Sequence, residues 1–285
     1  MGTFCKHQGT HPPLKPAVLK PIVILDSGSG GLTVFDEITR IMPWLPVVYC
    51  ADNGGFPYGP KSEQEVTERV CQLLDSLYTR YDPALVVVAC NTASTIVLNA
   101  VRALLPIPVV GVVPAIKTAA TLSRNRCIGL LATPGTVNRA YTDQLIQDFA
   151  SDCEVIRVGS TELVHLAERV FRGESVDIAR FEQILAPFKE AHLQPDHIVL
   201  GCTHFPLVRQ QLSICLPKVV FVDSGEAIAR RVLSMLKDRQ ALRVPEFNTN
   251  YEKPIFIAHL TAKDDNQAGF VAAIAPRGFQ RVSVL

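Results

Sequence analysis

Along this chain, short unbroken apolar runs alternate with longer stretches in which apolar residues recur every three or four positions. The runs PIVILD (21–26), VVYCA (47–51), ALVVVA (84–89) and PVVGVV (108–113) are rich in β-branched residues and carry no alternation, as strands buried on both faces do. Between them the spacing predicts amphipathic helices over 32–42, 63–80 and 92–105, the second opened by a capping box of Ser62 and Glu65. The loop DNGGFPYGPKS is too rich in Gly and Pro to be regular. The pattern then restarts with CIGLLATPGT (127–136), CEVIRVG (153–159), HIVLG (197–201) and KVVFVD (218–223), with helices predicted over 161–171, 177–192 and after residue 224. Gly225 and Ala227 are small enough for close packing at that last turn, and IFIAHL and RVSVL read as two further strands around a helix near 263–275. Strands alternating with helices mean a parallel sheet covered on both faces. The expected fold class is therefore α/β, with two similar domains, each a mostly parallel sheet flanked by helices, and the active site in the cleft between them. Residues 1–20, aperiodic and Pro-containing, are expected to be a flexible extension. The first domain is expected over 21–116, completed by 226–285, and the second over 117–225.

Composition narrows the classes. Lys and Arg number 28 against 27 Asp and Glu, and no basic run interleaved with aromatics occurs, so nucleic-acid binding has no electrostatic support. No apolar stretch is long enough to span a bilayer, and the opening residues, with Pro12, Pro13 and Pro16, lack the apolar core of a signal peptide. The 8 cysteines contain no CxxC pair, which argues against a zinc ribbon or thioredoxin-like site. A reduced, cytoplasmic protein is expected, and in such a protein most cysteines are small core hydrophobes.

Two cysteines depart from that bland role. VVVACNTAST (86–95) and IVLGCTHFPL (198–207) are the same phrase written twice: an apolar run, a small residue, a cysteine, then small polar residues that open a new segment. Ligands in open α/β sheets bind beyond the carboxyl ends of the strands. Cys90 and Cys202 would both sit there, each close to a helix N-terminus whose dipole favours a thiolate. A Cys202–His204 nucleophilic pair is a rival reading, but it leaves Cys90 without a role. A matched pair of thiols suits inversion at a carbon acid, with one thiolate removing a proton from one face and one thiol supplying a proton to the other. His204 is then expected to tune Cys202, polarised by a carboxylate such as Glu162 or Glu168. The turn Asp26-Ser27-Gly28-Ser29-Gly30-Gly31 misses both the dinucleotide and the P-loop fingerprints and leaves a nest of backbone N–H groups beside an acid. Ser27, Asn91, Thr92, Thr203 and helix amides can bind carboxylates, and Asp26 can serve an ammonium or its neighbouring thiol. Thr133 and Thr136 stand where the first half carries Asp26 and its glycines.

Taken together, LDSGSGGLTV, FPYG, ACNTAS, VVGVVPAIK, LLATPGTV and LGCTHFPL closely resemble the glutamate racemase family, of the cofactor-independent aspartate/glutamate racemases, from about residue 22 to at least 240. The resemblance implies interconversion of L- and D-glutamate for peptidoglycan synthesis with no pyridoxal phosphate and no metal. It implies Cys90 as the base for D-glutamate and Cys202 for L-glutamate, with Asp26, Glu168 and His204 as supporting acid–base groups. It places substrate against Asp26, Ser27, Tyr58, Gly59, Asn91, Thr92, Thr203 and His204. Aspartate racemase, or another cysteine-dependent racemase or decarboxylase of the same fold, is the alternative; a non-catalytic two-lobed binding protein would leave the paired cysteines unexplained. Ser29 stands where the family usually carries a bulkier aliphatic residue, a departure expected to touch no catalytic position. The N-terminal extension and the GVVPAIK segment resemble the subgroup activated by UDP-N-acetylmuramoyl-L-alanine. That places an activator by Arg102 and by Gly111, Val112, Val113, Pro114, Ala115, Ile116 and Lys117. Partners are expected to be glutamate and this activator, with no nucleic acid and no membrane, in a monomer or homodimer.

Overall fold

The computed structural model describes residues 19–238, 253–263 and 266–285, so nearly all of the expected N-terminal extension lies outside the described residues. The first six strands and helices alternate strictly: β1 (Ile22–Asp26), α1 (Leu32–Ile41), β2 (Val47–Ala51), α2 (Glu63–Tyr81), β3 (Leu85–Val88), α3 (Asn91–Leu104). β4 (Val109–Gly111) and α4 (Ile116–Leu122) lead to β5 (Cys127–Ala132), α5 (Pro134–Val137), α6 (Ala140–Phe149), β6 (Glu154–Gly159), α7 (Glu162–Phe171) and α8 (Ile178–Glu190). Then follow β7 (His197–Leu200), a 3₁₀ turn over Phe205–Val208, α9 (Arg209–Cys215), β8 (Val220–Val222), α10 (Gly225–Asp238), β9 (Phe256–Leu260), α11 (Gln267–Ile274) and β10 (Arg281–Val284).

The strands form two wholly parallel sheets, ordered β10-β9-β2-β1-β3-β4 and β6-β5-β7-β8. β1, β2 and β3 are buried along their whole length, as their unbroken apolar runs require. The order β2-β1-β3-β4 recurs as β6-β5-β7-β8, so the repetition in sequence is a repetition of topology. In each sheet the chain winds outward in both directions from its first strand, making a switch point beside β1 and β3 in one and beside β5 and β7 in the other. That is where ligands bind in open α/β sheets.

The final strands join the first sheet, β9 pairing with β2 and β10 with β9. α10 returns with them: Ile228, Ala229, Val232 and Leu236 share one core cluster with Leu32, Phe35 and Ile38 of α1. A Cβ on Gly225 would press on Glu37 of α1, so the glycine permits this close approach. Four helices are missing from the sequence reading. α4, α5 and α9 are too short for periodicity to register, and α6, whose Leu145 and Ile146 are only partly buried, was passed over although Tyr141, Leu145 and Phe149 recur every four residues. Among the described residues no helix is long and apolar enough to cross a membrane.

Candidate active site

β1 delivers Asp26, fully buried, to the first switch point. The Gly28 amide donates to its Oδ1 at 2.9 Å, and Thr203, from the other sheet's loop, donates its hydroxyl to Oδ2 at 2.9 Å. The Tyr49 hydroxyl donates to the Gly28 carbonyl at 2.6 Å and pins the turn from below. Burial lifts the Asp26 carboxyl above its ordinary value, outweighing the charge of His204 and the bonds from Gly28 and Thr203. The amide nest expected here is not open to a ligand. The Ser29 amide donates to Glu168 Oε1 at 2.6 Å and the Ser29 hydroxyl to Oε2 at 2.8 Å. A Cβ on Gly28 would run into Glu168 and His204, and one on Gly30 into His204 and Thr203. The glycines therefore let the second half of the chain press against this turn. Ser29, expected to be remote from the chemistry, is in direct contact with Glu168.

The 14-residue helix α3 opens one residue earlier than its spacing predicts, at Asn91, so that Cys90 itself stands at the N-cap, with no side-chain cap bond. Its sulfur lies 3.8 Å from the Ser27 hydroxyl. Burial first, then the negative charge of Asp26, push its thiol well above the ordinary cysteine value, while the Ala93 amide pulls the other way. Cys202 sits differently. Pro206 cannot donate a backbone bond, and the segment after Cys202 is a turn and a 3₁₀ helix, with α9 starting only at Arg209. A helix dipole falls off within a turn, so the expected helix N-terminus does not act on this sulfur. His204 acts instead: its Nδ1 lies 3.8 Å from Cys202 Sγ and its Nε2 2.8 Å from Glu168 Oε1. Burial would lower the His204 pKa, but the bonds to Cys202 and Glu168 and the charges of both overcome it and raise it well above the usual imidazole value. Burial opposes ionisation of Glu168 too, yet His204 and Ser29 bring its carboxyl down to about 2. Both directions describe one buried carboxylate–imidazolium pair beside Cys202. Of the two carboxylates expected to polarise His204, Glu168 does so; Glu162 pairs with Arg180.

Both sulfurs face one small cavity, with Ser27, Tyr58, Gly59, Thr92, Thr133 and His204. The Tyr58 hydroxyl is committed elsewhere, donating to Asp52 Oδ2 at 2.6 Å within a network that includes Arg69. Asp26, Glu168, Thr136, Thr203 and Asn91 form the layer behind. Thr92, Thr133 and Thr136 bond one another across the two halves at 3.0 to 3.4 Å. Asn91 Oδ1 is buried with no hydrogen-bond partner among the described residues. Thr161 and Val164 of the α7 region also line the cavity and escaped the sequence reading, for no local pattern distinguishes them from ordinary helix-entry residues.

The segment expected to hold an activator divides. Arg102 and Gly111 line two adjoining grooves of about 380 and 310 Å³, with Arg231 in the first and Val113 and Tyr141 in the second. Val112 and Ile116 are core residues, Pro114 is buried and Ala115 caps α4. Lys117 lines neither groove; its ammonium lies over the Phe149 ring at 5.3 Å.

Two repeated parallel sheets with paired cysteines at their switch points define a class, and comparison with known proteins agrees: residues 29–232 match the Asp/Glu/hydantoin racemase family. A glutamate racemase of Pectobacterium carotovorum is 51% identical over 77% of this chain and 76% of its own length, and one of a Shewanella species is 47% identical over 91% and 94%. The crystal structure of Escherichia coli glutamate racemase, in complex with L-glutamate and activator UDP-MurNAc-ala, superposes with a TM-score of 0.85 at 43% identity, over 93% of this chain and 98% of that one. This chain belongs to the glutamate racemase family and is an isomerase.

Proposed function

We propose that the chain interconverts L- and D-glutamate by a two-base mechanism in the cleft between two lobes, 21–116 with 226–285 and 117–225, and so supplies D-glutamate for peptidoglycan in the cytoplasm. The observation that carries it is the facing of both sulfurs into one cavity, each backed by its own ionisable group. With L-glutamate, the Cys202 thiolate, stabilised by the His204 imidazolium, takes the α-proton, and the Cys90 thiol delivers its proton to the opposite face. D-glutamate reverses the roles: Cys90 takes the proton and Cys202 gives one. Asp26 lies beside Cys90, where a substrate ammonium offsets the negative charge that, after burial, pushes that thiol up. The Asn91 amide, the three threonines and Ser27 suit the carboxylates. The chain's residues supply both acid and base, so turnover is expected to need neither pyridoxal phosphate nor a metal.

As it stands the cavity is about 20 Å³, room for roughly one water and far below the roughly 300 Å³ or more of ordinary small-molecule pockets. Glutamate therefore enters only when the lobes part. The chain crosses between them at 112–115 and 223–224, and the two crossings are tied by the Ser224 hydroxyl donating to the Val113 carbonyl. The Arg102–Gly111 grooves lie against this crossing. A nucleotide precursor such as UDP-N-acetylmuramoyl-L-alanine, bound there through its phosphates, would shift the open–closed balance. The test is incubation of the pure protein with each enantiomer in D₂O, with and without that precursor. α-Deuteration and appearance of the opposite isomer, stimulated by the precursor and less so in Arg102→Ala, are expected. Exchange with aspartate but not glutamate would move the assignment to the sister activity.

A further inference from the structure

Glu168 is held from two sides. On the cleft side, the Ser29 amide and His204 Nε2 meet at its Oε1, and the Ser29 hydroxyl donates to Oε2 at 2.8 Å. On the other side, Arg172 approaches Oε2 at 3.5 Å through Nε, and its guanidinium also donates to the Asn266 carbonyl. Beside the carboxylate a cavity of about 330 Å³ opens, lined by Ser29 and Glu168 themselves and by Phe56, His165, Arg172 and Phe270 among others. The carboxylate thus has a cation and free space on the side away from His204.

We propose that Ser29 is a positioning residue for the Cys202 half of the site: its hydroxyl, donated from the first lobe, locks the Glu168 carboxylate against His204 when the cleft closes. This rests on the racemase reading of the same site. Ser29 lies on the turn after β1 and Glu168 on α7, so the bond spans the cleft and exists only in the closed arrangement. Closure therefore assembles the carboxylate–imidazolium pair, and opening releases it. Coupling of this kind keeps His204 fully charged at the moment substrate is enclosed, and it ties proton transfer at Cys202 to a hydroxyl that never touches substrate.

The test is kcat and KM against pH for Ser29→Ala, with Glu168→Gln and the double variant completing a cycle. Losing the hydroxyl weakens the hold on Glu168 and lets His204 lose its proton more readily. The alkaline limb of kcat should move down by about half a unit to one unit, with kcat falling about 3- to 10-fold and KM little changed. In the Glu168→Gln background the serine change should move the alkaline limb no further, because the carboxylate charge it orients toward His204 is gone. Ser29→Cys, near in size and a weaker donor, should give a smaller shift in the same direction and replaces the alanine variant if circular dichroism shows that variant unfolded. An unmoved alkaline limb, or the same loss with and without Glu168, overturns the proposal. Absence of racemisation in the parent protein overturns the racemase reading instead, so the two failures are distinguishable.

Discussion

The ends of β3 and β7 are spelled almost alike and built to different electrostatic plans. At the end of β3, Cys90 caps a long helix beside a buried carboxylate, Asp26, and burial first, then that charge, push the thiol up. At the end of β7, Cys202 lies in a turn with no helix behind it and faces an imidazole charged by Glu168. Repetition of a βαβ unit has preserved where the sulfurs stand, because strand ends at a switch point are set by topology. It has not preserved what surrounds them, because loops vary freely on a fixed scaffold. For the proposed reaction, which takes a proton from one face and supplies it to the other, a symmetric position with unequal partners is useful.

The comparison breaks most completely if either sulfur is removed. Cys90→Ser and Cys202→Ser should each lower racemisation about 10²- to 10⁴-fold, the usual range for a positioned acid or base, measured by polarimetry or chiral chromatography. A smaller and one-sided effect should follow from the neighbours. His204→Asn should slow α-proton exchange of L-glutamate about 10- to 100-fold and that of D-glutamate much less, since only Cys202 loses its counter-charge.

Stability against pH sharpens the same contrast. Glu168 is depressed to about 2 in the folded chain, so its contribution is present above its ordinary value and lost as pH falls towards 2. His259 behaves oppositely to His204. Buried between the Tyr81 hydroxyl and Ser283, it is pushed down by burial to about 4. The unfolded chain then binds the proton first, and stability should fall on acidification from about 6.5 to 4 by on the order of 1–3 kcal/mol. Urea titrations across that window, repeated for His259→Gln, should show the slope flattened. The smallest effect is expected from the partly exposed Arg139–Glu63 pair, which links the two halves of the chain. Arg139→Ala should change stability by less than about 1 kcal/mol in thermal melts, because surface pairs of this kind contribute little.

The paired sheets and both cysteines were legible because a strand buried on two faces must be an unbroken apolar run, and its end announces itself. The polarising carboxylate was legible only as a choice. Glu162 and Glu168 lie on one helix about 120° apart, and only packing shows that Glu168 turns inward while Glu162 meets Arg180. Of the two influences expected at Cys202, His204 lies against the sulfur and the helix end does not, since small polar residues after a strand look alike whether they open an α-helix or a 3₁₀ turn. Ser29 was passed over because its contact spans 139 residues, and no local pattern carries information across that distance.

The central claim, one sulfur for each face of the α-carbon, is tested most directly with glutamate analogues that eliminate a leaving group once the α-proton is removed. Elimination needs only the base on one face. Cys202→Ser should keep elimination from the D-analogue and lose it from the L-analogue, and Cys90→Ser should show the reverse, while neither racemises glutamate. If one serine variant eliminates both enantiomers at near the parental rate, or racemises glutamate as the parent does, its missing sulfur is structural and the two-base account is wrong.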